Sequence, residues 1–573
     1  MRNTRILLLC IFLGTSAVAQ SVRSIVGPGK TVHPYQYAIV KSGIFRHGAV
    51  SSAHPLASQV GAAILKKGGN AFDAAIATQL ALAVVYPAAG NIGGGGFLVG
   101  RKANGELLGI DYREAAPAAA SKDMYLDKNG HVQLQLSQNG HLASGIPGTV
   151  AGLFATMMYA RLPFAELIQP AIDLAEKGFV ISEREANSLN GARASFVKYS
   201  TRPAAFIRNK PWKAGDTLVQ KELAATLKRI QEQGAPGFYD GETAKLIVEE
   251  MQRGHGLITL DDLKNYTAKL RDPISFDYRG YQVVSFAPPS SGGLLLAEML
   301  NMIEPYPINS YGFQTAASVQ VMIEAERRAY ADRAAYMGDP DFYQVPVDSL
   351  ISKSYAARRM QDFMPGKAGR SASIKAGLLH ESEETTHLSV MDEEGNMVAV
   401  TTTLNNSYGS RTIVGGAGFL LNDEMDDFSA KPGVPNMYGA VGGDANAIEP
   451  GKRMLSSMTP TLLIKDNKPY LVVGTPGGTT IPTSVFQTIV NLVDFSMNAD
   501  DAINKPKFHH QWLPDVVEIE KDFSPQTKKE LQQMGYSFSE RGGIGRTEII
   551  RVLPNGRKET VADKRGDDSV AGY

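Results

Sequence analysis

The chain has 573 residues, enough for a large buried core, and its 58 Lys plus Arg balance 58 Asp plus Glu. It therefore carries no net field to draw it onto polyphosphate or anionic lipid, and nucleic acid is not an expected partner. Hydrophobic residues at 43% and charged ones at 20% are ordinary globular values, which excludes collagenous, disordered and coiled-coil chains.

At the start, Arg2 and Arg5 precede an apolar run over residues 6–13, and Ala17-Val18-Ala19 offers a small-x-small cleavage pattern. This is the layout of a secretory signal peptide over residues 1–19, cut after Ala19. The run is shorter than the ~20 residues a membrane span needs, and no later apolar stretch reaches that length, so no membrane span is expected. Cys10, the only cysteine, falls inside this segment, so neither disulfides nor thiol catalysis is available to the mature chain. Removing Arg2 and Arg5 with the leader moves the formal charge from zero to −2. The expectation is a soluble protein, periplasmic or secreted.

Helical spacing over residues 55–67 stops at Gly68-Gly69, and Asn70 caps a second run, 71–85, that is apolar nearly all round and so should be buried. Asn91 to Phe97 carries four consecutive glycines, read as a packing turn, before a hairpin that turns at Asn104-Gly105. Amphipathic helices are predicted at 163–177, 221–233 and 243–253, then a strand at 281–286, a helix after Gly292-Gly293 and a long helix near 315–336. Residues 360–384 lose apolar periodicity and read as a mobile loop. A β-hairpin follows, 387–392 with 397–404, its first strand opening at Thr385-Thr386. A second pair, 461–464 with 470–474, turns at Asp466-Asn467, and helices are predicted near 482–494 and 525–534. Helices and strand pairs segregate instead of alternating, which favours a layered α+β fold over a doubly wound parallel sheet.

The glycine clusters fail as nucleotide cradles: Leu98, Leu421 and Glu548 stand where a dinucleotide fingerprint wants a small residue. There is no P-loop, no Gly-x-Ser-x-Gly elbow and no His-Glu-x-x-His. His509 and His510 are adjacent, so on a strand they point to opposite faces and cannot chelate one ion; no metal or cofactor is expected. Hydroxyl chemistry remains. A threonine hydroxyl is a weak nucleophile unless its proton is removed, and one solution is the residue's own α-amine, freed by cleavage of the preceding bond. Thr385 lies between an acidic loop and a regular strand. From the residues alone, Thr-Thr opening a strand is most often just β-propensity.

The run from Thr385-Thr386-His387-Leu388-Ser389-Val390 through Gly395-Asn396 to Thr401-Thr402-Thr403-Leu404-Asn405-Asn406-Ser407-Tyr408-Gly409 resembles the signature of the γ-glutamyltransferases. So do Asp111-Tyr112-Arg113-Glu114, Asn422 to Phe428, Pro432 to Asn436, Leu455 to Pro460 and Gly474-Thr475-Pro476-Gly477-Gly478, in family order. The resemblance implies an N-terminal-nucleophile hydrolase fold, a four-layer αββα sandwich. It also implies self-cleavage between Glu384 and Thr385 into a large subunit, 20–384, and a small one, 385–573, that stay together in one domain.

By position, the resemblance makes Thr385 the nucleophile, with Thr403 bonded to the nucleophile region. Gly477 and Gly478 would be the oxyanion donors. Arg113 would hold the donor's α-carboxylate by its planar fork, helped by Ser456 and Ser457. Asp427 and Glu424 would face the α-ammonium, Asn405 would orient the head group, and Tyr438 would sit in a lid over residues 432–443. Some relatives carry Gln where Glu424 stands. His387 matches no substrate role and reads as structural. The implied partners are glutathione and other γ-glutamyl compounds as donors, and water, amino acids or dipeptides as acceptors. A glutaryl-type β-lactam acylase of the same fold is the nearest rival. A non-catalytic exported solute-binding protein is another, and it would need neither Thr385 nor the two glycines.

Overall fold

The alternating apolar pattern of residues 384–405 and 461–474 does build two hairpins, and each becomes the middle of its own sheet. In the computed structural model, residues 32–374, 384–431 and 443–573 are described, Glu384 by its backbone alone. Fourteen strands concern the site: β1 (Ser42–Phe45), β2 (Ala49–Ser52), β3 (Gly95–Arg101), β4 (Leu107–Asp111), β5 (Lys269–Arg271), β6 (Ile274–Tyr278) and β7 (Tyr281–Ser285). They continue with β8 (Glu384–Met391), β9 (Met397–Asn405), β10 (Thr461–Lys465), β11 (Lys468–Gly474), β12 (Glu548–Val552), β13 (Lys558–Ala562) and β14 (Ser569–Gly572). One seven-stranded sheet runs β14-β2-β8-β9-β3-β4-β5, the other β1-β13-β12-β11-β10-β7-β6, and every pairing within them is antiparallel.

Period-two alternation sorts the strand residues between two apolar layers. In β8 and β9, Leu388, Val390, Val398 and Val400 face the helices α1 (Pro55–Lys66) and α2 (Ala71–Val85), while Met391, Met397 and Ala399 face the other sheet. In the other sheet Leu462 and Val472 point inward, whereas Leu463, Leu471 and Val473 pack under α3 (Gly292–Ile303), α4 (Ala316–Tyr336) and α5 (Thr480–Val493). Helix, sheet, sheet, helix is the expected four-layer α+β sandwich. Every residue of α2 is buried, as its all-round apolarity requires, and Asn70 closes a capping box with Asp73 at its start.

Three differences from the sequence expectations bear on the site. The strand that carries Thr385 begins at Glu384, one residue earlier, and its register with β9 shifts between Glu384 and Thr385. The predicted loop over 360–384 is tethered at its start: Ala368 N–H donates to Met534 O at 2.9 Å and a short helical turn spans Ser371–Ser373. Residues 375–383 lie outside the described residues, as do the leader 1–19 and, with 432–442, Tyr438 and nearly all of its lid. The strands β12, β13 and β14 were not foreseen at all.

Candidate active site

The centre of the site is the paired start of β8 and end of β9. Thr385 is directly opposite Thr403, and β9 in turn pairs with β3, placing Thr403 opposite Gly95. The glycine run does act as a packing turn: a Cβ on Gly94 would stand 2.1 Å from Thr403 O, and one on Gly96 2.5 Å from Thr401 O. Without side chains there, β3 and the turn before it can lie flat against the strand that carries Thr403. Thr403 Oγ1 accepts the Asn405 N–H at 2.7 Å, and Asn405 leaves the strand with φ 76°, a left-handed conformation that asparagine tolerates. Its Nδ2 donates to Asp423 O at 3.0 Å, while the Asn406 N–H donates to Asp423 Oδ1 at 2.9 Å. These bonds dock the loop bearing Glu424 and Asp427 onto the end of β9.

Arg113 follows β4 and is oriented from several sides. Its N–H donates to Asp111 Oδ1 at 3.0 Å, its Nε donates to Met454 O at 3.2 Å, and its carbonyl accepts the Tyr266 hydroxyl at 2.6 Å. Asp111 itself is buried between Arg453 and Arg271, so the end of β4 is pinned to the segment that carries Ser456 and Ser457. Ser456 O accepts both the N–H and the hydroxyl of Ser291 at 2.7 Å. The Ser457 hydroxyl is buried with no hydrogen-bond partner among the described residues. A buried hydroxyl left so is costly unless a ligand meets it.

Gly477 and Gly478 form the turn from β11 into α5, with φ 135° and 56°. A Cβ on Gly477 would stand 2.5 Å from Thr480 Oγ1, so the turn requires glycine on steric as well as conformational grounds. Their carbonyls accept the N–H groups of Thr480 and Ile481 at 3.0 Å each. The N–H groups of 477 and 478 stand just ahead of the helix N-terminus, where the aligned peptide dipoles favour negative charge.

Arg113, Thr385, Thr403, Asn405, Glu424, Asp427, Ser456, Ser457 and Gly478 all line one cleft, joined by Met458 and Ile481. Gly477 lines the neighbouring cavity instead. The cleft holds only about 10 Å³ of free space, about one water molecule, because Arg113 closes on Asp427 and Glu424. Arg113 Nη2 donates to Asp427 Oδ2, and its Nη1 is 3.0 Å from Glu424 Oε2. Met458 and Ile481 were not foreseen. Neither was Glu114, which is fully buried with its Oε2 3.6 Å from Arg113 Nη1.

Three carboxyls around one guanidinium cannot all ionise in so dry a place. Burial pushes Glu114 up to about 8 and Glu424 well above the usual carboxylate range, with Arg113 pulling both the other way. Asp423 is likewise raised by burial, to about 7. A protonated Glu424 adds no negative charge beside Asp427. His387 is structural as expected: its ring lies buried between Thr401 Oγ1 at 2.9 Å and Ser389 Oγ at 3.1 Å, and burial lowers it to about 3. His509 and His510 each have separate partners, Thr483 and Gln511 for the first and Asp515 for the second.

The sequence profile described as gamma-glutamyltranspeptidase matches residues 57–573. The glutathione hydrolase proenzyme of Escherichia coli K12 is 48% identical over 534 residues, 92% of each chain. Among solved structures, the γ-glutamyltranspeptidase of Helicobacter pylori is 46% identical with a TM-score of 0.55, covering 60% of this chain and 97% of that one. The cephalosporin acylase of Bacillus halodurans is 27% identical with a TM-score of 0.82, covering 96% and 99%. With the profile running through every strand of the cleft, the chain belongs to the γ-glutamyltranspeptidase family.

Proposed function

We propose that the chain is an exported γ-glutamyltransferase and glutathione hydrolase whose precursor cuts itself between Glu384 and Thr385. The observation that carries this reading is the single cleft uniting Thr385 with Gly478, Arg113, Asp427 and Ser457: a nucleophile, an oxyanion donor and both halves of an α-amino acid receptor. The Thr385 Oγ attacks the carbonyl carbon of Glu384, the peptide nitrogen becomes the free amine of Thr385, and water hydrolyses the resulting ester. That amine then takes the Oγ proton during attack on a γ-glutamyl amide and passes it to the leaving amine. The N–H groups of Gly477 and Gly478 stabilise the oxyanion. The γ-glutamyl ester on Thr385 is finally resolved by water or by the amine of an amino acid or dipeptide. The proenzyme name of the E. coli relative supports the maturation step.

Export rests on the leader of residues 1–19, and no helix among the described residues is long and apolar enough to cross a membrane. The test is purified protein run on a denaturing gel and weighed by mass spectrometry, beside release of anilide from a γ-glutamyl-anilide with and without glycylglycine. Two chains with Thr385 at the new N-terminus, and faster release with glycylglycine, are expected. A single chain that releases anilide at full rate would refute the mechanism.

A further inference from the structure

Residues 364–374 run between two cavities of about 400 and 360 Å³, and Lys367, Ala368, Gly369 and Arg370 line both. Hydrogen bonds therefore hold this segment where packing does not. Gln320 of α4 accepts the Gly366 N–H at 2.9 Å and donates to Met364 O and Lys367 O at 3.0 Å each. Glu324, one turn further along α4, accepts the Gly369 N–H at 3.0 Å. The far end is held from beyond the proposed cut. Asp515 Oδ2 accepts the Ser371 N–H at 2.8 Å, and the Trp512 indole N–H donates to Ser371 O at 3.0 Å and to Ile374 O at 3.1 Å. Trp512 is buried with φ 69°, its backbone N–H donates to His510 Nδ1 at 3.0 Å, and the His510 N–H donates to Glu326 of α4 at 2.8 Å. A left-handed backbone is an outlier for so bulky a residue. Such a state persists where its surroundings over-determine it, and it clusters at functional positions. Yet Trp512 does not line the cleft around Thr385.

We propose that Trp512, with Asp515, is a positioning residue for self-cleavage. By gathering the Ser371 and Ile374 carbonyls on one indole N–H, Trp512 fixes the point from which the chain departs toward Glu384, ten residues beyond Ile374. That point governs where the Glu384 carbonyl meets the Thr385 hydroxyl. The proposal rests on the self-cleavage reading. In that step the Thr385 Oγ bonds to the Glu384 carbonyl carbon as that carbon's bond to the Thr385 nitrogen breaks, and the Oγ proton ends on the nitrogen. Water then splits the ester into the Glu384 carboxylic acid and the free Thr385 hydroxyl. Misplacing reacting groups by about 1 Å costs on the order of a hundredfold in rate, whereas doubling a loop's length costs only about threefold. The anchor therefore acts through placement more than through loop entropy. After the cut the same bonds join large subunit to small and no longer bear on Thr385, so turnover of the mature enzyme should not depend on them.

The experiment follows the cutting of freshly translated full-length precursor on denaturing gels, beside kcat for a γ-glutamyl-anilide counted per cleaved molecule. Trp512→Phe keeps the ring and loses the N–H; it should slow cutting on the order of tenfold and leave kcat per cleaved molecule unchanged. A Gly-Ser-Gly-Ser insertion directly after Ile374 uncouples the anchor from the scissile bond, so in that background Trp512→Phe should change the cutting rate little. Cutting at the wild-type rate in Trp512→Phe overturns the proposal. So does a slowing that is equal with and without the insertion, or that comes with an equal fall in kcat, since a general loosening of the fold would do either. If Trp512→Phe does not fold, Ser371→Pro, which deletes the N–H that Asp515 accepts, decides the matter: it should cut slowly, and normal cutting overturns the anchor. A wild-type chain that never cuts before Thr385 sinks the self-cleavage reading as well, an outcome distinct from a wild type that cuts and a Trp512→Phe that cuts equally fast.

Discussion

Thr385 and Thr403 stand opposite each other in the pairing of β8 with β9, immediately after the point where the register shifts. Thr385 is therefore held by a regular ladder on its C-terminal side, while the peptide bond proposed to be cut lies at the irregularity. Rigidity on one side and a break on the other suit the self-cleavage proposed for Thr385. Thr385→Ala removes the Oγ and leaves the fold intact, so the protein should remain one chain and release no anilide. Gel, mass and assay together check this, and a cleaved, active alanine variant would refute it.

Gly478 faces the cleft directly and holds φ 56°. Gly478→Ala strains the turn modestly, by about 1 kcal/mol, but shifts the N–H groups that the proposed mechanism aims at charge present only in the transition state. The expected result is normal maturation at moderate temperature and a fall in kcat on the order of 10²–10³. Unchanged kcat would reduce the glycine pair to a turn.

Arg113→Lys keeps a charge beside Glu424 and Asp427 but loses the fork. Its KM for a γ-glutamyl donor should rise on the order of tenfold or more, the loss of one charged hydrogen bond. A melting curve separates this from a general loosening of the buried cluster, and an unchanged KM would remove Arg113 from carboxylate binding.

The sandwich was legible where alternation is clean, as at β8 to β11, and where a helix is apolar all round, as in α2. The strands β12 to β14 were not, because they are short and carry charges such as Glu548, Arg551, Lys558 and Glu559 that mask the alternation. The sequence blocks named the cleft residues but not their mutual state. Arg113 and Asp427 are 314 residues apart, and no local pattern signals that the guanidinium and the acids touch. Glu114 was passed over although it adjoins Arg113, since its importance comes from burial, which adjacency does not reveal.

Glu114 makes a testable contribution to stability. Its folded value, about 8, lies above the ordinary carboxylate value, so the folded state holds a proton the unfolded chain gives up. Its contribution is fully present below about pH 4 and is lost as pH rises toward 8. Glu114→Gln has no such proton to lose. Thermal unfolding of the two proteins from pH 5 to pH 9 should show the melting temperature of the variant gaining on wild type as pH rises. A constant difference across that range would mean that Glu114 is ionised in the fold.

The last prediction separates transferase from acylase, a choice the 0.82 TM-score to a cephalosporin acylase makes pointed. A glutaryl donor carries the carboxylate for Arg113 but no ammonium. On the proposed reading it parts Arg113 from Asp427, and that carboxylate, 6% exposed, loses its guanidinium and gains no ammonium, which costs more than a missing neutral contact. A γ-glutamyl donor replaces the lost guanidinium with its own ammonium. The specificity constants should therefore strongly favour γ-glutamyl over glutaryl anilide. Asp427→Asn, which keeps the shape without the charge, should narrow the ratio by losing the first substrate more than the second. A wild-type ratio near one, or a glutaryl preference, would move this chain to the acylase side of its fold.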